Sequence, residues 1–142
     1  MKYYHLLALA LTLAFTSCDK EKIVNEGDLP ADASSFIATH YPDQTITRVI
    51  KDRDNTKITF DVYLNNGTKL EFSRSGNLKE IEGSEPIPNS VFPPLVLQYV
   101  QENYPAAFIR GWEKDDATSE ARLSNGIELV FDKHGNFLRI DD

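Results

Sequence analysis

Cysteine is almost absent: Cys18 is the single one in 142 residues. No intramolecular disulfide can form, so an apolar core has to hold the fold. Histidine is scarce too, and His5, His40 and His134 lie too far apart in the chain to suggest a zinc motif. The seven glycines are scattered or punctuate turns, which leaves no phosphate-cradling loop and no G-x-S-x-G elbow. Long apolar runs are confined to Leu6–Phe15, about half of the roughly twenty residues that a membrane span needs. Positive charge is in deficit, with 15 Lys and Arg against 22 Asp and Glu and a formal net charge of -7. Phosphate binding needs clustered cations, so nucleic acid is excluded as a partner and a basic partner fits better. Nothing in the composition calls for a cofactor.

What is present begins with an address. Met1-Lys2-Tyr3-Tyr4-His5, the apolar run and Thr16-Ser17 form a basic start, an apolar middle and a small-residue end, the pattern of a secretory signal over residues 1–17. Cys18, between Ser17 and Asp19, looks like the lipobox cysteine of bacterial lipoproteins, although Phe15 stands where leucine is usual. An unpaired thiol in an oxidising compartment is the plain alternative. The reading predicts lipidation at Cys18, membrane attachment through that N-terminal lipid, and residence in the cell envelope on the periplasmic face or the cell surface. Residues 18–28 are charged and lack a periodic apolar face, which predicts a flexible tether. Asp19 and Glu21 are a weak hint of surface sorting.

The rest of the chain is written twice. Leu29-Pro30 is echoed by Phe92-Pro93, His40-Tyr41-Pro42 by Asn103-Tyr104-Pro105, and Leu64-Asn65-Asn66-Gly67 by Leu123-Ser124-Asn125-Gly126. The second copy is shorter between its first two strands. Such an internal repeat outranks local propensity in deciding the fold. Ala33, Phe36, Ile37 and Tyr41 make an apolar helical stripe behind Pro30, and Val96, Tyr99, Val100 and Tyr104 repeat it behind Pro93-Pro94. Pro42 and Pro105 end both helices, because proline disfavours the helical conformation in the residue before it.

Strand signals follow in each copy. Ile58, Phe60, Val62 and Leu64 alternate with Lys57, Thr59, Asp61 and Tyr63, the period of a sheet buried on one face. Asn66-Gly67 and Asn125-Gly126 supply tight hairpin turns, and Gly76 and Gly135 mark left-handed positions in the next turns. With earlier strands around 45–51 and 107–114, the predicted class is α+β: two tandem repeats, residues 29–83 and 84–142, each one helix followed by a four-stranded antiparallel sheet. The pattern leaves open whether the eight strands make one sheet or two.

The doubled set of "LP" or "FP" before the helix, "YP" after it, "L-x-N-G" in the hairpin and "F-x-x-x-G-N" beyond resembles the PepSY-like lipoprotein family of bacteria, which is also likened to the β-lactamase-inhibitor fold. The resemblance covers roughly residues 29–142. It implies a non-catalytic exported module whose sheet face binds a protein or peptide of the envelope. It assigns no functional residue, since the shared motifs are turn and core positions.

Candidate chemistry is thin beside that. His40 corresponds to Asn103 and His134 to Ser75, so neither is required by the unit. Asp52-Arg53-Asp54-Asn55 and Asp115-Asp116 occupy equivalent turns without the EF-hand loop pattern. Tyr63, on the polar side of its strand, and Trp112, replacing Val49 in the repeat, are the candidate binding aromatics, with core filling as the plain alternative for Trp112. The expected function is a non-catalytic, lipid-anchored binding module. One alternative is an inhibitor of an envelope hydrolase, a β-lactamase or a protease, and the other is a small enzyme using His40 or His134.

Overall fold

The apolar stripes produce helices where the sequence places them. A computed structural model describes residues 21–54 and 56–141, and α1 (Ala31–His40) and α2 (Pro94–Asn103) form behind Pro30 and Pro93. Ala33 and Ile37 in α1, and Val96 and Val100 in α2, are buried, and each helix stops at the tyrosine before its proline. The strands are β1 (Glu21–Val24), β2 (Ile46–Asp54), β3 (Lys57–Leu64), β4 (Lys69–Ser73), β5 (Leu78–Glu82), β6 (Ile109–Lys114), β7 (Thr118–Leu123), β8 (Glu128–Asp132) and β9 (Phe137–Asp141). Gly67, Gly76, Gly126 and Gly135 all take positive φ, as their turns require.

All nine strands pair antiparallel in chain order as one sheet. This corrects the expectation of an α+β pair of repeats that each carry a four-stranded sheet: the described chain is mostly β, one nine-stranded sheet with two helices. The two units fuse because β5 and β6 pair across the boundary, Ile81 facing Trp112 and Glu80 facing Glu113. A separate four-stranded unit would leave the backbone of β5 unpaired and Ile81 in water, whereas in the fused sheet Ile81 is fully buried.

The ninth strand falls in the expected tether. Ile23 pairs with Ile50 and Val24 with Val49, so Glu21–Val24 runs along β2 as an edge strand. Its sequence carries only two apolar residues, and it takes strand form because β2 offers an open backbone edge. Residues 1–20, including Cys18 and the predicted signal segment, lie outside the described residues.

Both helices cover the same face of the sheet. Phe36 meets Phe72 edge-on with ring centroids 5.7 Å apart, and Tyr99 meets Phe131 in the same way at 5.8 Å. On that face, register aligns one residue from each strand: Val24, Val49, Val62, Leu70, Ile81, Trp112, Ala121, Leu129 and Ile140. The seven from Val49 to Leu129 are buried and form a single core. Among the described residues no helix is long and apolar enough to cross a membrane.

Candidate functional site

The opposite face of the sheet has no helix on it. Strand alternation turns Asp61, Glu71, Glu80, Glu113 and Glu120 onto that face, and pairing aligns them on five consecutive strands, β3 to β7. With neighbouring strands about 4.8 Å apart, the row extends roughly 19 Å. Like charges facing each other across strands repel. Burial, and then the Asp61 charge, pushes the Glu71 carboxyl above the ordinary carboxylate range. Glu80 is raised by burial and by Glu82 and Glu113, and Glu120 by burial and by Glu128 and Glu113.

Compensating cations sit beside the row. Lys69 pairs with Asp61 at 3.0 Å. Arg122 donates from Nε to Glu128 at 2.8 Å and from Nη1 to Glu82 at 2.9 Å, linking β8 to β5 across β6. Gly111 on β6 makes that reach possible, because a Cβ there would stand 3.0 Å from Arg122 Cβ and 3.5 Å from Nη1. Lys69 and Glu82 also border an open cleft of about 600 Å³ at the seam of the two units, whose wall includes Phe108 and Arg110.

The raised carboxyls set a pH dependence. A carboxylic acid whose folded pKa exceeds its unfolded one imposes no cost while protonated in both states, and its full cost appears only above the folded pKa. Stability carried by Glu71, Glu80 and Glu120 therefore increases as pH falls from neutral toward the ordinary glutamate value of 4.5. Asp132 acts oppositely: side-chain and backbone hydrogen bonds with Asn136 hold its pKa down, and its contribution is lost only in stronger acid. Glu80→Gln is expected to raise the denaturation midpoint at pH 7.5 by an amount equivalent to roughly 0.2–1 kcal/mol. That gain should vanish at pH 4. A pH-independent gain in chemical denaturation would show that charge in the row is not its source.

Tyr63 lies on this face as expected. It is half-buried beneath Arg48, whose guanidinium carbon stands 4.2 Å from the ring centroid. Trp112 does not belong to the face, which corrects its place among the binding candidates. It is 2% exposed on the helix side, edge-on to Phe92 at 5.2 Å, because β6 lies inside the fused sheet. His40 and His134 are not drawn together into a site. His40 Nδ1 is 2.8 Å from Ser90 Oγ, with its pKa lowered by burial, while the His134 backbone N–H donates to Asp132 Oδ1 at 2.8 Å in the β8 to β9 turn. Among the described residues, no three acidic, histidine or cysteine side chains converge to hold a metal ion. The alternation of Ile58 to Leu64 marks Asp61 alone as an outward strand position, and only the pairing register brings Glu71, Glu80, Glu113 and Glu120 into line with it.

The sequence matches the model of the PepSY-like family, provisionally described as beta-lactamase-inhibitor-like, over residues 15–61 and 58–139. It is similar to a solved Bacteroides thetaiotaomicron structure, provisionally described as a calcium-regulated periplasmic protein, at 31% identity over 87% of this chain and 98% of that one, with a TM-score of 0.84. A Bacteroides vulgatus structure, provisionally a periplasmic protein, shares 35% identity over 88% of this chain and 99% of that one, with a TM-score of 0.81. A second from the same organism, of unknown function and also provisionally periplasmic, shares 26% identity over 86% and 99%, with a TM-score of 0.81. No curated protein matches the sequence.

Proposed function

The chain belongs to the PepSY-like family, and we propose that it serves as a non-catalytic, lipid-anchored binding module of the cell envelope, its uncovered sheet face recognising a basic stretch of a protein or peptide. One observation carries this reading: the in-register row of Asp61, Glu71, Glu80, Glu113 and Glu120 on a face without a covering layer. Close packing of carboxylates raises their mutual repulsion, and an arriving Lys or Arg relieves it, so charge complementarity favours a basic partner. Tyr63 beside the row adds an aromatic contact of the kind that anchors interfaces. Export is supported by the signal-like start and by the periplasmic descriptions of the similar structures. Anchoring rests on Cys18 alone.

The test is binding of a lysine-rich decapeptide and of its glutamate-rich counterpart to the full chain, followed by calorimetry at two salt concentrations. The basic peptide should bind preferentially and weaken with salt. The triple variant Glu71→Gln, Glu80→Gln, Glu113→Gln should lose at least about tenfold in affinity. Equal binding of both peptides, or an unchanged triple variant, would sink the acidic-face reading. Since one relative is described as calcium-regulated, calcium is a useful competitor. With no convergent ligand set among the described residues, it should weaken binding by screening the row.

A second reading, inhibition of an envelope hydrolase, draws on the family's inhibitor-like description. Titration against β-lactamases and proteases decides it, and absence of stoichiometric inhibition retires it.

A further inference from the structure

The repeat lets one half of the molecule report what the other half lacks. Ile81 on β5 and Ile140 on β9 are equivalent positions in the two units, each the helix-face residue of its last strand. Ile81 is 0% exposed because β6 lies against it, while Ile140 is 48% exposed because, among the described residues, no strand lies outside β9. Leu138, in the bulge of the same strand, is 51% exposed, where its equivalent in the first unit is the cation Lys79. Leu95 of α2, 45% exposed, takes the place of Asp32, and one turn later Tyr99 stacks on Phe137 at 4.3 Å.

The opposite edge of the sheet is treated differently. β1 occupies on β2 the position that β5 occupies on β6, Val24 facing Val49 as Ile81 faces Trp112. It acts as a terminal cap, and repeat arrays need such caps to keep their ends from water. On the β9 side, the last strand of the described chain presents an unpaired backbone edge with apolar side chains beside it. That combination is a template for strand addition.

We propose that β9 is a self-association edge, occupied by β9 of a second copy paired antiparallel about a two-fold axis at Ile140. The charge pattern selects this occupant and register. Within one chain Arg139 and Asp141 already stand 3.7 Å apart as an exposed pair. With Ile140 facing Ile140 of the second copy on the helix side, Arg139 of each copy also faces Asp141 of the other on the outer side, so the two in-strand pairs join into one alternating cluster of four charges. Shifting the axis to Arg139 would set the two arginines against each other. None of the five acids of the row stands on the β9 edge, although Asp141 shares their face and adds to the charge around Glu120. Association of the chain is therefore measured with no basic peptide present.

Sedimentation velocity of the full chain in mild detergent, over a concentration series, tests it. The wild-type chain should show a reversible monomer–dimer equilibrium. Arg139→Asp and Asp141→Arg should each weaken it at least about tenfold, since each homodimer then carries two like-charge pairs. Mixed together, the two variants should recover wild-type association, because only the mixed dimer restores both opposite-charge pairs. Both positions are exposed, so folding is not at stake. A monomeric wild type, variants that associate as wild type does, or a mixture no tighter than either variant alone would each overturn the proposal.

Discussion

Trp112→Ala is expected to remove about 3–5 kcal/mol of stability, a large share of the roughly 5–15 kcal/mol that an ordinary domain possesses. The indole is 2% exposed at the seam of the two units, between Ile81 on β5 and Ala121 on β7, with Phe92 edge-on and Phe131 at 6.5 Å. Truncation opens a cavity lined from both units, and the strands around it cannot collapse without losing their pairing. The first unit solves the equivalent position with Val49 opposite Val62, a medium pair where the second unit uses a large residue opposite a small one. Trp112→Val should therefore be severe alone and partly rescued by Ala121→Val, the coupling expected of residues sharing one cavity. Urea titration followed by circular dichroism checks this, since Trp112 is the only tryptophan and its fluorescence disappears with it. A midpoint within error of wild type for Trp112→Ala would mean that the seam does not hold the sheet together.

Gly76→Ala is expected to be nearly as damaging, at about 2–5 kcal/mol, and it separates two effects that turn glycines usually combine. Gly76 has φ of +88°, and a Cβ there would stand 2.8 Å from the backbone nitrogen of Ala33 and 2.9 Å from Asp32 Cβ. The turn between β4 and β5 presses on the start of α1, so a methyl group meets backbone that has no room to yield. Gly67 has nearly the same φ, +84°, with nothing within 4 Å of its added Cβ. Gly67→Ala should thus cost only the left-handed penalty of about 1–2 kcal/mol. Gly135→Ala, whose nearest neighbour is Pro93 Cβ at 3.1 Å, should fall between. On melting, the expected order of loss is Gly76→Ala, then Gly135→Ala, then Gly67→Ala, the first by roughly 10–20 °C. Equal losses at Gly76 and Gly67 would attribute the whole effect to backbone conformation and none to contact with α1.

Several features are legible in the sequence because their causes are local. Alternation in Ile58 to Leu64 fixes which side chains enter the core, and Asn66-Gly67 and Asn125-Gly126 fix the hairpins through the φ angles they tolerate. Tyr63 could be placed on the polar face from parity alone. Trp112 could not be settled in that way: the residue that replaces Val49 is buried because β5 of the other unit lies against β6. The strand at Glu21–Val24 was illegible for a related reason, since its form comes from the edge of β2 and not from its own residues.

The sequence by itself determined the doubling of the unit, the two helices, the turn glycines and the net negative charge, because periodicity, proline geometry and ionisation act within a few neighbouring residues. Tertiary structure alone decided that the units merge into one nine-stranded sheet, that five acids from five strands form a single row, and that among the described residues β9 has no strand on its outer side. Those outcomes depend on which strand pairs with which and in what register, and backbone pairing between distant segments leaves almost no trace in the local pattern of either segment.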